Sequence, residues 1–153
     1  MVKFQKKGNY VIYELADVAI AHFLKSLRAL AEKQFMQVQQ IKQEFLNANL
    51  GMDGIPLSEL NERMEKGEVL LLDVRPKEEY DHAHIPGAIS IPIEELREKL
   101  APLPTDRNVV AYCRGPYCLM AAEAVDLLKS KGINAYRLEN SVQDWYQFNE
   151  QLN

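Results

Sequence analysis

The residues with most chemistry to offer lie in one stretch, Cys113-Arg114-Gly115-Pro116-Tyr117-Cys118. It directly follows the apolar run Val109-Val110-Ala111-Tyr112, which reads as a strand. It precedes a helical stretch that starts at or near Cys118, runs to Lys131, and is closed by Gly132 as its C′ residue. A cysteine at the carboxyl end of a parallel strand, facing a helix start, sits where open α/β sheets bind ligands. The amides of residues 114–118 and the helix N-terminus favour a thiolate and any anion attached to it. Gly115 and Pro116 let a short loop curl so that several N–H groups converge. The chemistry predicted is nucleophilic, with Cys113 as the attacking sulfur and Arg114 as the loop's cation. That requires a sulfur that is ionised and within reach of solvent. A small buried hydrophobe ending a strand is the plain alternative for Cys113; the strand, short loop and helix around it argue for the nucleophile.

Cys118, across the mouth of the same loop, has two readings that stand side by side. It is a small residue at a helix start, or it is a resolving thiol that attacks a Cys113 persulfide or closes a disulfide with it. Asp73 and Arg75 read as a carboxylate and a guanidinium at a strand end that fix the neighbouring loops by hydrogen bonds. His84 reads as a turn-packing residue. A phosphatase on a related loop needs an Arg six residues after the cysteine to clamp phosphate; Leu119 stands there. Cys113, Cys118, His82 and His84 are zinc ligands by type, but C-x4-C with H-x-H is loose spacing, so no metal and no cofactor is expected. Asp17 and His22 lack the second histidine of a metal-sensing helix.

The elements that must position these residues fall into pieces of unequal size. From about Ile55 onward, strand and helix signals alternate. Val69-Leu70-Leu71-Leu72 is a continuous apolar run, as in a strand covered on both faces. Ala88-Ile89-Ser90-Ile91, Val109 to Tyr112 and Ala135-Tyr136-Arg137-Leu138 are three more strands. Helices are predicted over Leu57 to Glu65, Pro76 to Asp81, Ile93 to Leu100 and Cys118 to Lys131, with a last short one holding Trp145. The expected fold is α/β, a mostly parallel sheet flanked by helices and preceded by a short strand and a long amphipathic helix. The domain limits read as 1–16 for the strand piece, 17–49 for the long helix, 50–54 for a linker and 55–153 for the α/β domain.

With these residues in view, the stretch from about Ile55 to Phe148 resembles a rhodanese (sulfurtransferase) domain. The markers are Leu71-Leu72-Asp73-Val74-Arg75 with Glu79-Tyr80, then His84-Ile85-Pro86-Gly87-Ala88 running into Ile91-Pro92, then the Cys113 loop, then Leu138-Glu139 with Trp145. The resemblance implies that Cys113 takes sulfane sulfur from a donor such as thiosulfate as a persulfide and passes it to a thiol or cyanide acceptor. It also implies that Arg114, Gly115, Pro116, Tyr117 and Cys118 bind the transferred sulfur and the donor's anionic group, with Asp73 and Arg75 in support. Family loops often carry a glycine three residues after the cysteine and a basic residue five after; here those positions hold Pro116 and Cys118. Arg114 is then the loop's single cation, so modest use of thiosulfate is expected. Asn140-Ser141 replaces the family's frequent Gly-Gly.

Ahead of that domain, Tyr10-Val11-Ile12-Tyr13-Glu14-Leu15 is β-branched and aromatic and follows the turn signal Gly8-Asn9. It reads as one strand of a hairpin whose partner lies before residue 1. Asp17 reads as the N-cap of the following helix. Ile20, Leu24, Leu27, Ala31, Val38, Ile41 and Phe45 recur in alternating threes and fours, with Gln34 in one seam position and Phe23, Leu30 and Phe35 beside it. Nothing inside a small chain covers so long a stripe, so the same helix of a second subunit is the expected cover, a homodimer through residues 17–48; packing on its own domain is the alternative. Residues 8–17 and the helix are similar to the last wing strand and C-terminal helix of ArsR-type winged-helix regulators. That implies a fragment, or a protein that has lost its DNA-binding half, with Lys3, Lys6 and Lys7 as remnants of a phosphate-contacting wing or as a solvated terminus. No recognition helix is present, so no DNA binding by this chain alone is expected. A regulatory module that senses modification of Cys113, with or without Cys118, is the alternative to an enzyme.

The composition sets outer limits. The 153 residues are 47% hydrophobic and 26% charged, which sets disordered and collagen-like classes aside. The net charge of −4 argues against a stand-alone nucleic-acid binder. Two cysteines are too few for a disulfide scaffold. No apolar run approaches a membrane span, and the start lacks a secretory stretch, so a cytoplasmic protein with reduced thiols is expected.

Overall fold

In the computed structural model, residues 1–34, 40, 41, 44, 54–99 and 107–150 are described. The chain divides into two compact units, Met1–Phe45 and Leu46–Asn153.

The first unit opens with an antiparallel hairpin of β1 (Val2–Lys7) and β2 (Tyr10–Leu15). This corrects the expectation that the partner of Tyr10–Leu15 lies before residue 1. Lys7 pairs with Tyr10, so Gly8-Asn9 is a two-residue loop. Gly8 sits at φ +60° and Asn9 has no positive φ, the pattern of a type II′ turn, which suits the twist of the strands it joins. Helix α1 (Val18–Gln34) follows, and Asp17 caps it: its Oδ1 accepts the Ala19 amide at 2.7 Å. No residue of α1 is buried, and every residue of both strands is exposed. Beyond Gln34, Gln40, Ile41 and Glu44 are helical, while seam positions Val38 and Phe45, neighbouring Phe35 and linker residues 50–53 lie outside the described residues.

The second unit is a parallel five-stranded sheet in the order β3-β7-β6-β4-β5, with strands β3 (Gly54–Ile55), β4 (Val69–Asp73), β5 (Ile89–Ser90), β6 (Asn108–Tyr112) and β7 (Ala135–Leu138). Its helices are α2 (Leu57–Glu65), α3 (Lys77–His82), α4 (Ile93–Leu96), α5 (Leu119–Ser130) and α6 (Val142–Glu150). The α/β architecture with helices flanking a mostly parallel sheet is thus the one read from the sequence. The two-residue β3 was not read. Helix α4 is shorter than the predicted Ile93–Leu100: it ends at Leu96, and Leu100 lies outside the described residues.

Both sheet faces are covered, which explains the unbroken apolar runs. Alternate residues of β6 serve opposite cores. Val109 and Ala111 join Leu72, Leu96, Val125 and Leu128 on the α5 face; Val110 and Tyr112 join Leu60, Leu71, Ile85 and Leu138 on the other. Full burial of each such Leu, Val or Ile contributes about 1.5–3 kcal/mol relative to exposure. Continuing the alternation, Cys113 points to the α5 face, where it belongs to that cluster.

The topology locates the site. From β4 the chain moves outward to β5 and then crosses back to β6; from β6 it moves the opposite way to β7. The order therefore reverses between β4 and β6, and the crevice beyond their carboxyl ends is the natural ligand position of such sheets. Asp73 and Tyr112, the last residues of these strands, are in register there.

Candidate active site

Cys113 follows β6 at that reversal point. It is 2% exposed and is disulfide-bonded to Cys118, with Cα atoms 6.4 Å apart. The expectation of a solvent-reached thiolate therefore does not hold for this state: the sulfur is bonded to Cys118 and Cys113 is buried in the cluster on the α5 face. Cys118 is half-buried and stands at the N-cap of α5, with φ −85° and ψ 121°. No side chain caps α5 and no acidic residue stands in its first turn, so the helix's positive end is left to the sulfur at the cap.

The loop between the two cysteines is tight. Gly115 adopts φ +128°, a region that L side chains rarely enter, and a Cβ built there lies 3.7 Å from Ser141 Cβ. The Cys118 amide donates to the Gly115 carbonyl at 3.2 Å, so this one of the expected converging donors is used by the turn itself. Gly115 and Pro116 are buried, whereas Arg114 and Tyr117 face outward.

Arg114 differs most from its expected role. Its Nε donates to both carboxylate oxygens of Glu79, at 3.1 and 3.2 Å, and its Nη2 binds Glu79 Oε1 as well. These hydrogen bonds raise the guanidinium above its ordinary value. The loop's cation is thus already paired with a carboxylate from α3, 35 residues away. Glu79 also lies 3.9 Å from Arg75 Nη1, so it bridges the two arginines.

Asp73 and Arg75 are placed as scaffold, beside the cysteine loop. Asp73 Oδ1 accepts the Arg75 amide at 3.0 Å, and the guanidinium reaches both carboxylate oxygens through Nε and Nη2, the latter at 2.6 Å. Arg75 Nη2 also donates to Ala83 O at 2.7 Å, tying the end of α3 to β4. Burial opposes the charge on Arg75, but Asp73 outweighs it and the net shift is upward. Tyr112 completes the group: its hydroxyl accepts the Ile85 amide at 3.1 Å and donates to Asp73. Burial first, and then Asp73, push its phenol well above the ordinary value. His84 packs as a turn residue, stacked on Tyr80 at 3.9 Å.

Three contributors were missed at the sequence level. Glu79 was seen only as part of a marker. Arg137, on β7, is 2% exposed and donates through Nη1 to Pro116 O at 3.2 Å, pinning the loop from below. Burial pulls it below the ordinary guanidinium value, against the pull of Glu139, and its Nε meets no partner among the described residues. An arginine inside the run Ala135-Tyr136-Arg137-Leu138 was the available signal. Ser141 and Asp144 form a reciprocal cap at the start of α6: the Ser141 amide donates to Asp144 Oδ2 at 3.0 Å and the Asp144 amide to Ser141 Oγ at 3.2 Å. Among the described residues, no three His, Cys, Asp or Glu side chains gather as metal ligands, and no helix is long and apolar enough to cross a membrane.

Chemically, the arrangement offers a two-sulfur centre at a helix N-terminus, in a loop tied down by Arg137 and by the Arg114–Glu79 pair. Known proteins are similar to this chain in sequence and in fold. The family model of the rhodanese-like domain matches residues 56–148. The HTH-type transcriptional regulator Rv0324 of Mycobacterium tuberculosis is 39% identical over 145 residues, covering 95% of this chain and 63% of that protein. The probable adenylyltransferase/sulfurtransferase MoeZ of the same species is 37% identical over 91 residues, 57% of this chain and 23% of that one. The human single-domain sulfurtransferase TSTD1 superposes with a TM-score of 0.54 at 27% identity, over 61% of this chain and 95% of that one. The chain thus spans less than two thirds of either curated relative.

Proposed function

The chain belongs to the rhodanese-like domain family, and from that premise we propose that it is a sulfurtransferase whose working atom is the Cys113 sulfur. The observation that carries this reading is the position of Cys113: it directly follows the central strand at the sheet's reversal point, on the α5 face and bonded to the residue at the N-cap of α5. With the disulfide reduced, the Cys113 thiolate attacks the outer sulfur of a donor such as thiosulfate. A sulfur–sulfur bond forms on Cys113, the donor's own sulfur–sulfur bond breaks, and sulfite leaves with the electron pair. A thiol or cyanide then takes the sulfane sulfur and restores the thiolate. Sulfurtransferase relatives support the assignment at family level.

The test is thiocyanate formation from thiosulfate and cyanide, before and after reduction of the disulfide. Turnover is expected only after reduction and only with Cys113 present, and it is modest because Glu79 already occupies Arg114. Equal turnover in Cys113→Ala sinks the proposal.

A second reading has its own support. The relative that matches 95% of this chain is a transcriptional regulator, and a match of that length includes α1 as well as the second unit. In this reading the chain is the sulfur- or redox-responsive part of an ArsR-type regulator, in which α1 pairs with a second copy and Cys113 is modified with little turnover. DNA contact then belongs to a winged-helix half outside this sequence, and the setting is a reducing cytoplasm. A stable Cys113 persulfide with negligible thiocyanate formation selects this reading over the enzyme.

A further inference from the structure

We propose that Cys118 gives this site a second activity, the reductive discharge of the Cys113 persulfide as hydrosulfide. This rests on the persulfide reading above and concerns the fate of the sulfur once it is loaded.

Three observations converge. The first is reach: the two sulfurs are bonded, and the Cα separation of 6.4 Å lies within the ordinary range for a disulfide, so Cys118 meets the Cys113 Sγ on the backbone as it stands. The second is access. Cys113 is 2% exposed, inside the cluster with Ile91, Leu96 and Ala121, whereas Cys118 is half-buried at the loop's mouth. In the disulfide, an external reductant is therefore better placed to attack Cys118 than Cys113, so the pair is reopened from the loop's mouth. The third is ionisation. Cys118 stands at the uncapped N-terminus of the 12-residue helix α5, where the helix dipole favours its thiolate.

The step balances without any external oxidant. The Cys118 thiolate attacks Sγ of Cys113 in the Cys113–S–SH persulfide. The Cys118–Cys113 sulfur–sulfur bond forms, the bond from Cys113 to the sulfane sulfur breaks, and that sulfur leaves with the electron pair as hydrosulfide. The sulfane sulfur is reduced, and the two cysteines are oxidised to the disulfide seen in the structure. A dithiol reductant, of the class represented by dithiothreitol, returns both thiols and completes the cycle.

The experiment uses the full chain, reduced with dithiothreitol, freed of it and given thiosulfate alone. The wild type is expected to release about one sulfite and about one hydrosulfide per chain, to lose both titratable thiols and then to stop. Renewed dithiothreitol restarts it. Cys118→Ser is expected to release sulfite but no hydrosulfide, and to hold the sulfane sulfur on Cys113, from which later cyanide recovers it as thiocyanate. That recovery also reports that the variant is folded. A hydrosulfide burst in Cys118→Ser equal to that of the wild type overturns the inference. So does a wild type that holds its persulfide while the Cys118 thiol stays free. Absence of sulfite from both proteins overturns the persulfide reading itself, and the inference with it.

Discussion

The two units of this chain place their side chains in opposite ways. The second buries polar groups: Asp73, Arg75, Arg137 and Asp144 are all at most 6% exposed and all hydrogen-bonded. The first exposes apolar ones: Phe4 at 69%, Phe23 at 59% and Leu27 at 52%. Burying a charge is unfavourable unless partners are built around it, so the second unit is closed around a specified site. Exposed apolar surface on this scale is of the kind that interaction surfaces carry. A hairpin and a helix with no buried residue gain little from their own packing. The difference teaches that the second unit is specified by its internal partners, whereas the first draws no such specification from its own packing.

The sharpest way to break that contrast is to remove a buried partner. Asp73→Ala leaves the Arg75 guanidinium buried without its carboxylate and frees the Tyr112 hydroxyl. Loss of one member of such a pair is expected to destabilise the second unit by about 3–5 kcal/mol. Urea unfolding followed by Trp145 fluorescence measures it. A loss near zero shows that the network is decoration.

Tyr112→Phe is the next step down. It removes one hydroxyl that satisfies both Asp73 and the Ile85 amide, so a loss of about 1–3 kcal/mol is expected. It also changes the response to pH. The phenol is raised in the folded chain above its ordinary 10.0, so the folded state holds its proton more tightly than the unfolded one. Its stabilisation is complete below about pH 10 and is lost as pH rises above that value. Stability against pH across the alkaline range is expected to fall more steeply in the wild type than in Tyr112→Phe. Equal slopes exclude Tyr112 as the source.

These two substitutions also mark how far the sequence could be read. Strands β4 and β6 were legible because both their faces are covered, which forces unbroken apolar runs such as Val69 to Leu72. The position of Cys113 at a strand end was legible for the same reason. The hairpin partner was not, because Val2 to Lys7 carries three lysines and no buried face to impose a pattern. Strand β3 is two residues long and leaves no periodicity. The pairing of Glu79 with Arg114 joins residues 35 positions apart, and no local spacing encodes it. Arg137 was readable only as an oddity in a strand, since its role depends on the carbonyl of Pro116, 21 residues away.

Glu79→Gln probes the rim of the closed unit, where charge is paired but exposed. The Arg114–Glu79 pair is half in solvent, so stability is expected to change by at most about 1 kcal/mol. The freed guanidinium faces the donor instead, and KM for thiosulfate is expected to fall by about threefold to tenfold. Added salt narrows the gap between variant and wild type by screening. An unchanged KM at low salt means that the donor's anion does not meet Arg114.

The smallest effect on folding is expected in the first unit, and there it is the most informative. Leu24 and Leu27 lie one turn apart on α1, 45% and 52% exposed. Truncating either to Ala removes little buried surface within the chain, so urea unfolding of the second unit is expected to shift by no more than about 0.5 kcal/mol. If the face is a subunit contact, the same truncation removes a packed side chain from it, and a population of dimers gives way to monomers in sedimentation equilibrium. The double variant Leu24→Ala with Leu27→Ala therefore separates the two units by measurement: association weakens while sulfur transfer by the second unit stays as it was. A monomeric wild type at every concentration, or a variant that associates as tightly as the wild type, removes the second copy as the partner of this helix.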